Sequence, residues 1–183
     1  YSGLEFLSGI PGTVGGALVM NAGIRENKRS VAGLVKEVIV MDKSAKIRRL
    51  KKNQIKFRYR DSGLGKFIVL GATFNLEKKD SQEIINEVKS RLSWRRNTQD
   101  YSYPNAGCVF KNPGLDSAGR LIDLCGLKGR RIGGAMVSNK HANFILNKDN
   151  ATAEDVLGLM GLIKQKVKNK FKINLQPEIK IWQ

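Results

Sequence analysis

Three residues in this chain have both the chemistry and the local frame of a reaction centre. Cys108 lies in Asn105-Ala106-Gly107-Cys108-Val109-Phe110-Lys111-Asn112-Pro113, Arg60 in Phe57-Arg58-Tyr59-Arg60-Asp61-Ser62, and Glu178 in Pro177-Glu178-Ile179-Lys180-Ile181-Trp182. A titratable thiol, a permanent cation and a carboxylate form a set suited to stabilising a developing anion and then protonating it. Taken singly, each has a plainer reading. Arg60 fits a surface ion pair, Glu178 a solvated strand end, and Cys108 a small buried apolar residue.

A glycine-rich stretch precedes them: Ser8-Gly9-Ile10-Pro11-Gly12-Thr13-Val14-Gly15-Gly16-Ala17, running through Leu18-Val19-Met20 into Asn21-Ala22-Gly23. Glycine permits positive φ and lets a ligand approach the backbone, whose N–H groups can cradle phosphate. Gly15 and Gly16 are expected where a Cβ would obstruct a ligand or force an unfavourable φ. The spacing is neither Walker A nor GxGxxG, so a tight turn accounts for it as well as a phosphate site does.

The elements that must position these residues follow from periodicity. Strand-like runs span 35–41 and 67–76, with the Arg60 string in the polar region between them. A helix is expected over 80–96, opened by Asp80 with Glu83 and striped by Ile84, Val88 and Leu92. The polar stretch from Asn97 to Pro104 marks a boundary between a first domain, 1–98, and a second, 99–183. The second domain reads as a helix from Ser117 to Leu124 closed by Gly126, then a basic glycine-bearing connection from Lys128 to Gly134. A strand over 142–146, a helix over 152–170 with Val156, Met160, Ile163 and Val167 aligned, and a last strand over 179–182 complete it. Helices and strands mix without regular βαβ repetition, so the expected class is α+β.

Composition bounds the rest. The 183 residues, 41% hydrophobic and 27% charged, suffice for a buried core and are unlike a disordered chain. The apolar runs are interrupted well short of a membrane span, so no membrane association is expected. Cys108 and Cys125 are seventeen positions apart with no CxxC or Cys/His metal spacing. Both read as reduced, and no metal site is expected, which favours a cytoplasmic setting. The net charge of +17 is dispersed, its lysines and arginines assigned mostly to solvated helix faces and turns. It speaks for anionic ligands, and nucleic-acid binding is not expected. Tyr1 stands within what reads as folded sequence, so the expectation is that a natural N-terminus precedes it.

Five strings in order, Ser8 to Gly23, Tyr59 to Ser62, Asn105 to Pro113, Ser117 to Leu127 and Pro177-Glu178, resemble the UDP-N-acetylenolpyruvoylglucosamine reductase family. The resemblance implies a flavoenzyme that uses FAD and NADPH to reduce the enolpyruvyl ether of UDP-N-acetylglucosamine enolpyruvate in peptidoglycan precursor synthesis. It also implies a vanillyl-alcohol-oxidase-like FAD-binding domain, of which 1–98 would be the C-terminal part, followed by a smaller α+β substrate domain ending in a catalytic strand. A leading segment with a further glycine loop for FAD would be absent. Only Gly114-Leu115-Asp116 separates Asn112-Pro113 from the Ser117 helix, which resembles the shorter form of the family, lacking a tyrosine-bearing substrate loop.

Residue by residue, the resemblance places the active-site arginine on Arg60, the proton donor on Cys108 (more often serine) and the active-site glutamate on Glu178. It puts FAD contacts on Gly9, Ile10, Pro11, Gly12, Thr13, Gly15, Gly16, Ala17 and Asn21, and substrate contacts on Tyr59, Asn112 and His141. His141, the sole histidine, also reads as a surface imidazole. The chemistry matches the residue types. Arg60 offers a planar fork to an enolate, a thiol with an ordinary pKa of about 8.5 is a stronger acid than serine, and Glu178 fits if protonated or hydrogen-bonded at the enolate's far side.

Overall fold

The computed structural model describes residues 1–24, 29–114 and 116–182, and divides them into two compact units, Tyr1–Arg95 and Arg96–Gln183. Leu115, in the short connector before the Ser117 helix, lies outside the described residues. Helices and antiparallel sheet are mixed in both units, and every described strand pairing is antiparallel.

In the first unit, helix α1 (Val14–Val19) leads to a short pair, β1 (Gly23–Ile24) with β2 (Arg29–Ser30). A three-stranded sheet follows in the order β4-β3-β5, with β3 Val35–Met41, β4 Ile47–Lys51 and β5 Ile68–Phe74. The valines of the central strand explain its position: Val35, Val38 and Val40 are buried with Phe6, Leu18, Val31, Ile55 and Leu64. α1 packs on β5 within that core. Strand β4 was not expected, since its arginines and lysines read as solvated positions of helices or turns. They are solvated, but on an edge strand, where Arg48 pairs with Asp42 at 2.8 Å and Arg49 with Glu37 at 3.0 Å. Charge on an edge strand discourages pairing with other chains.

Helix α2 (Ser81–Thr98) is capped by Asp80, whose Oδ1 accepts from the amides of Gln82 (2.9 Å) and Glu83 (3.1 Å). Ile84, Val88 and Leu92 are half-buried, and Arg95 extends the same stripe into the interior.

The second unit is a four-stranded sheet, β6-β9-β8-β7, covered by helices α3 (Ala118–Leu124) and α4 (Ala153–Phe171). Its strands are β6 Asn105–Cys108, β7 Arg131–Ile132, β8 Ala135–Val137 and β9 Phe144–Asn147. The basic connection at 128–134 therefore carries the first strand of a hairpin, β7-β8, turned through Gly133-Gly134. Thr152 and Asp155 form a reciprocal cap on α4 (3.0 and 3.1 Å), and Leu159, Met160, Ile163 and Val167 bury its apolar stripe.

The expected last strand, 179–182, is not formed. Pro177 bridges Phe110, Lys111 N donates to Gln176 O and Glu178 N to Val109 O, both at 2.8 Å, and pairing stops there. Continued antiparallel, residues 179–181 would face 108–106. There Gly107 adopts φ +77 and the β6 register shifts, so no regular ladder edge is available. Trp182 is 94% exposed.

Candidate active site

In the first unit the glycine stretch forms an exposed loop followed by α1. Thr13 caps the helix, its Oγ1 accepting from Gly16 N at 3.1 Å. Gly12, at φ +152, has nothing within 4 Å of where a Cβ would stand, so its backbone is open to approach. Gly9, at φ +78, has a different reason to be glycine. A Cβ there would come within 2.9 Å of Leu92 Cδ2 and 3.0 Å of Arg95 Cδ. Gly15 and Gly16 do not take positive φ, and their added Cβ atoms would make ordinary contacts of 3.5 Å. The expectation of an unfavourable φ at those two positions is corrected: they are helical residues on α1, and helix geometry suits any L residue.

The chain leaving α1 holds the Arg60 turn at three points. Ser62 Oγ, buried, donates to Val19 O at 2.9 Å; Asn21 Nδ2 donates to Arg58 O at 2.9 Å; Arg60 Nη1 donates to Gly23 O at 3.1 Å. Asn21 Oδ1 in turn accepts from Ala32 N at 3.2 Å. The turn closes through Arg58 N to Asp61 O at 2.7 Å. Arg60 occupies its second corner at φ +54, a place usually given to glycine or asparagine and costing other residues about 1–3 kcal/mol. Such strain marks a position where the side chain is being kept. The guanidinium also lies 5.3 Å from the centroid of the exposed Tyr59 ring.

In the second unit Cys108 ends β6, half-buried and paired with Phe144 of β9. Both cysteines are thiols. The Cys108 string is fixed on its two sides. On one, Val109 N donates to Asn143 O at 2.8 Å, and the buried Asn143 side chain accepts from Phe110 N at 3.0 Å and donates to Phe110 O at 2.8 Å. On the other, Glu178 N donates to Val109 O at 2.8 Å. Cys108 and Glu178 are thus brought to neighbouring backbone, while Arg60 belongs to the first unit.

Asn112 Oδ1 accepts from Ala118 N at 2.9 Å, and Ser117 Oγ from Arg120 N at 3.1 Å, so both cap α3. His141 is not a surface imidazole. It is half-buried, 4.7 Å from the Phe144 ring, and its Nδ1 accepts from Asn143 N at 3.3 Å. Burial is the main cause that holds its pKa below the ordinary value, Lys128 adds to it, and together they outweigh a bond to the residue's own backbone that favours the charged ring. The neutral ring with Nδ1 accepting carries its proton on Nε2.

Sequence reading passed over Ser62, Arg95 and Asn143. Asparagine has low strand propensity, so Asn143 at the head of β9 was a signal for a hydrogen-bonding role. Arg95, three residues past Leu92 on the apolar side of α2, was another.

Residues 99–182 match the family described as UDP-N-acetylenolpyruvoylglucosamine reductase, C-terminal domain. Among similar proteins, the UDP-N-acetylenolpyruvoylglucosamine reductase of Chloroherpeton thalassium is 46% identical over 98% of this chain and 60% of its own length. That of Bacillus subtilis is 43% identical over 98% of this chain and 60% of its own length. The crystal structure of UDP-N-acetylenolpyruvylglucosamine reductase from Thermus caldophilus superposes with a TM-score of 0.85 at 38% identity, covering 100% of this chain and 65% of that one. The chain spans about three fifths of the length of the curated relatives it matches. Nearly the whole sequence aligns with named UDP-N-acetylenolpyruvoylglucosamine reductases at these identities, residues 99–182 match the C-terminal domain of that family, and the fold of a solved reductase is shared over all of this chain.

Proposed function

We propose that the protein of which this chain is a part is a cytoplasmic, FAD-dependent NADPH oxidoreductase. It reduces the enolpyruvyl group of UDP-N-acetylglucosamine enolpyruvate to the lactyl ether of UDP-N-acetylmuramate, a peptidoglycan precursor. The observation carrying this reading is the 46% identity to a named reductase across 98% of the chain. In this reading 1–98 is the C-terminal part of a vanillyl-alcohol-oxidase-like FAD domain and 99–183 the substrate domain. Among the described residues no helix is long and apolar enough to cross a membrane.

The loop fits a flavin nucleotide in one respect that can be read directly: at Gly12 the backbone is bare and open, with no side chain in front of it. Gly9, Ile10, Pro11, Gly12, Thr13, Gly15, Gly16, Ala17 and Asn21 would hold FAD there, Asn21 also bracing the Arg60 turn. Bound FAD, reduced by NADPH, supplies the hydride that adds to the terminal carbon of the enolpyruvyl group.

The protein's own residues do the rest. As that carbon is reduced, negative charge spreads from the neighbouring carbon into the substrate carboxylate. Arg60 meets this charge with donors fixed by the strained turn, so little reorganisation is needed in the transition state. Glu178, in its protonated form, donates to the far side of the enolate. Cys108 then delivers its proton to the carbanionic carbon, and the thiolate left behind recovers a proton from solvent. Tyr59, Asn112 and His141 bind the UDP-sugar, His141 offering Nε2–H to a phosphate or sugar oxygen.

The test is spectroscopic. The protein expressed at the length its gene encodes should be yellow, bleach on addition of NADPH, and regain its flavin absorbance when UDP-N-acetylglucosamine enolpyruvate is added. A protein that takes up no flavin, or whose NADPH-reduced form is not reoxidised by that substrate under anaerobic conditions, overturns the reading.

A further inference from the structure

Arg95 is a charged residue in a place that charge does not favour. It is 8% exposed, on the inward side of α2, and donates from Nε to Ser8 O at 2.8 Å and from Nη2 to Phe6 O at 3.3 Å. Those carbonyls stand immediately ahead of the Gly9–Gly12 loop. Its aliphatic stem lies under Gly9, 3.0 Å from where a Cβ would be. The contact is therefore mutual: Gly9 must lack a side chain for the stem to pass, and the guanidinium supplies donors to the carbonyls of the buried Phe6 and the half-buried Ser8. Burying a guanidinium is costly, and a helix position needing only to fill space would take leucine or methionine.

The loop beyond has little else to hold it. Residues 9–14 are exposed; the described backbone bonds on the approach are Leu7 N to Leu4 O, Ser8 N to Glu5 O and Ile10 N to Leu7 O, all 3.0 Å, and the far end is tied to α1 through Thr13, whose carbonyl accepts from Ala17 N at 3.0 Å. Two glycines at positive φ leave the backbone with many unfolded alternatives. One planar fork gripping both Phe6 and Ser8 fixes the direction in which the chain enters the loop.

We propose that Arg95 is a positioning residue that pre-orders the Gly9–Gly12 loop for its nucleotide cofactor without touching the reacting atoms. This rests on the cofactor reading given above. Loss of the grip lowers the fraction of protein in the binding-competent loop conformation, and the apparent dissociation constant rises by the inverse of that fraction. Reaction at saturating cofactor is spared, because Arg60 and Cys108 are held by other bonds.

Two variants separate the grip from packing. Arg95→Met retains the stem beneath Gly9 and removes the donors; Arg95→Lys keeps the charge with a single ammonium that cannot span both carbonyls. Three readouts on the full-length protein decide the matter: amide hydrogen exchange of the flavin-free form, FAD affinity by fluorescence quenching, and kcat at saturating FAD. The expected result is exchange accelerated within residues 8–16 relative to β3 and β5. FAD affinity should weaken by about tenfold or more, with kcat changed less than about twofold. If Arg95→Met does not fold, Arg95→Lys carries the same three readouts. Unchanged loop exchange and FAD affinity in the folded variant overturn the proposal, as does acceleration spread evenly over the whole first unit. A wild-type protein that binds no FAD overturns the cofactor reading instead. The exchange comparison needs no flavin and still decides whether Arg95 orders the loop.

Discussion

The amide of Glu178 donates to the carbonyl of Val109 at 2.8 Å, so the carboxylate-bearing end of the chain returns to the residue that follows Cys108. Nearly seventy residues of sequence separate the two positions. Their neighbouring backbone is set just past the register shift at the end of β6, where Phe110 bridges Pro177 and Lys111 N donates to Gln176 O while Val109 N still bonds Asn143 O on the opposite side.

The first prediction follows from the thiol at that junction. If Cys108 gives the final proton, removing it spares flavin reduction by NADPH and blocks what comes after. Cys108→Ala should bleach normally and recover its flavin absorbance very slowly with the enolpyruvyl substrate, while Cys108→Ser retains substantial turnover. In the wild type, the second half-reaction should fall at alkaline pH as the thiol ionises, and that limb should move upward in the serine variant. Stopped-flow absorbance separates the half-reactions. An alanine variant reoxidised at the wild-type rate makes Cys108 a small packed residue.

Arg60 is held at φ +54 with its guanidinium on Gly23 O, an arrangement a lysine cannot reproduce with a single ammonium. Arg60→Lys should fold with near-wild-type stability and lose about 2–4 kcal/mol of transition-state stabilisation, read as a fall in kcat/KM. Arg60→Gly should unfold at equal or higher denaturant concentration, because glycine takes positive φ without strain, yet be inactive. Near-wild-type turnover in Arg60→Lys takes the residue out of the mechanism.

The legible parts of the fold were those governed by local rules. β3 matches its valine-rich run, α4 its cap at Thr152 and its apolar stripe, and α3 its Ser117 start and Gly126 stop. β4 was not legible, because an edge strand of Ile-Arg-Arg-Leu-Lys has one solvated face and exists through its pairing with β3. The terminal strand failed for the converse reason: Ile179–Trp182 has strand-forming residues and no regular edge to join. At the candidate site, types and strings pointed to Arg60, Cys108 and Glu178 as the residues to propose, but not to the supports around them. Ser62, Arg95 and Asn143 act through backbone carbonyls and amides distant in sequence, and no pattern in one chain encodes such a partner.

Asn143 gives the third prediction. Its buried amide completes both hydrogen bonds of the Phe110 backbone, next to the Cys108 string. Asn143→Ala would leave a buried donor and a buried acceptor unmet, at roughly 1–3 kcal/mol each. Urea unfolding should show a loss of about 2–4 kcal/mol, and Asn143→Asp, which keeps the acceptor and loses the donor, should fall between the two. A loss below about 0.5 kcal/mol means that water replaces the side chain and that the backbone bonds of Val109 to Asn143 and Glu178 suffice to hold the string.

The last prediction concerns acid. Burial against Phe144 holds the His141 pKa below the ordinary histidine value of about 6.5, and Lys128 adds to that direction. The sign follows from proton counting. Between the folded and unfolded pKa values the unfolded chain binds the extra proton, so folding is opposed there. The stability associated with the neutral, buried ring is complete above about pH 6.5 and is lost as pH falls toward the folded value. Protonation would also remove the Nδ1 lone pair that accepts from Asn143 N. Denaturation midpoints measured from pH 7.5 down to pH 5 should therefore decline more steeply in the wild type than in His141→Gln, which does not titrate. Comparison of the two slopes isolates the imidazole from the carboxylates, which are common to both proteins. Equal slopes mean that His141 gains its proton in the folded protein as readily as in the unfolded chain, and that its neutral ring is not what offers Nε2–H to the substrate.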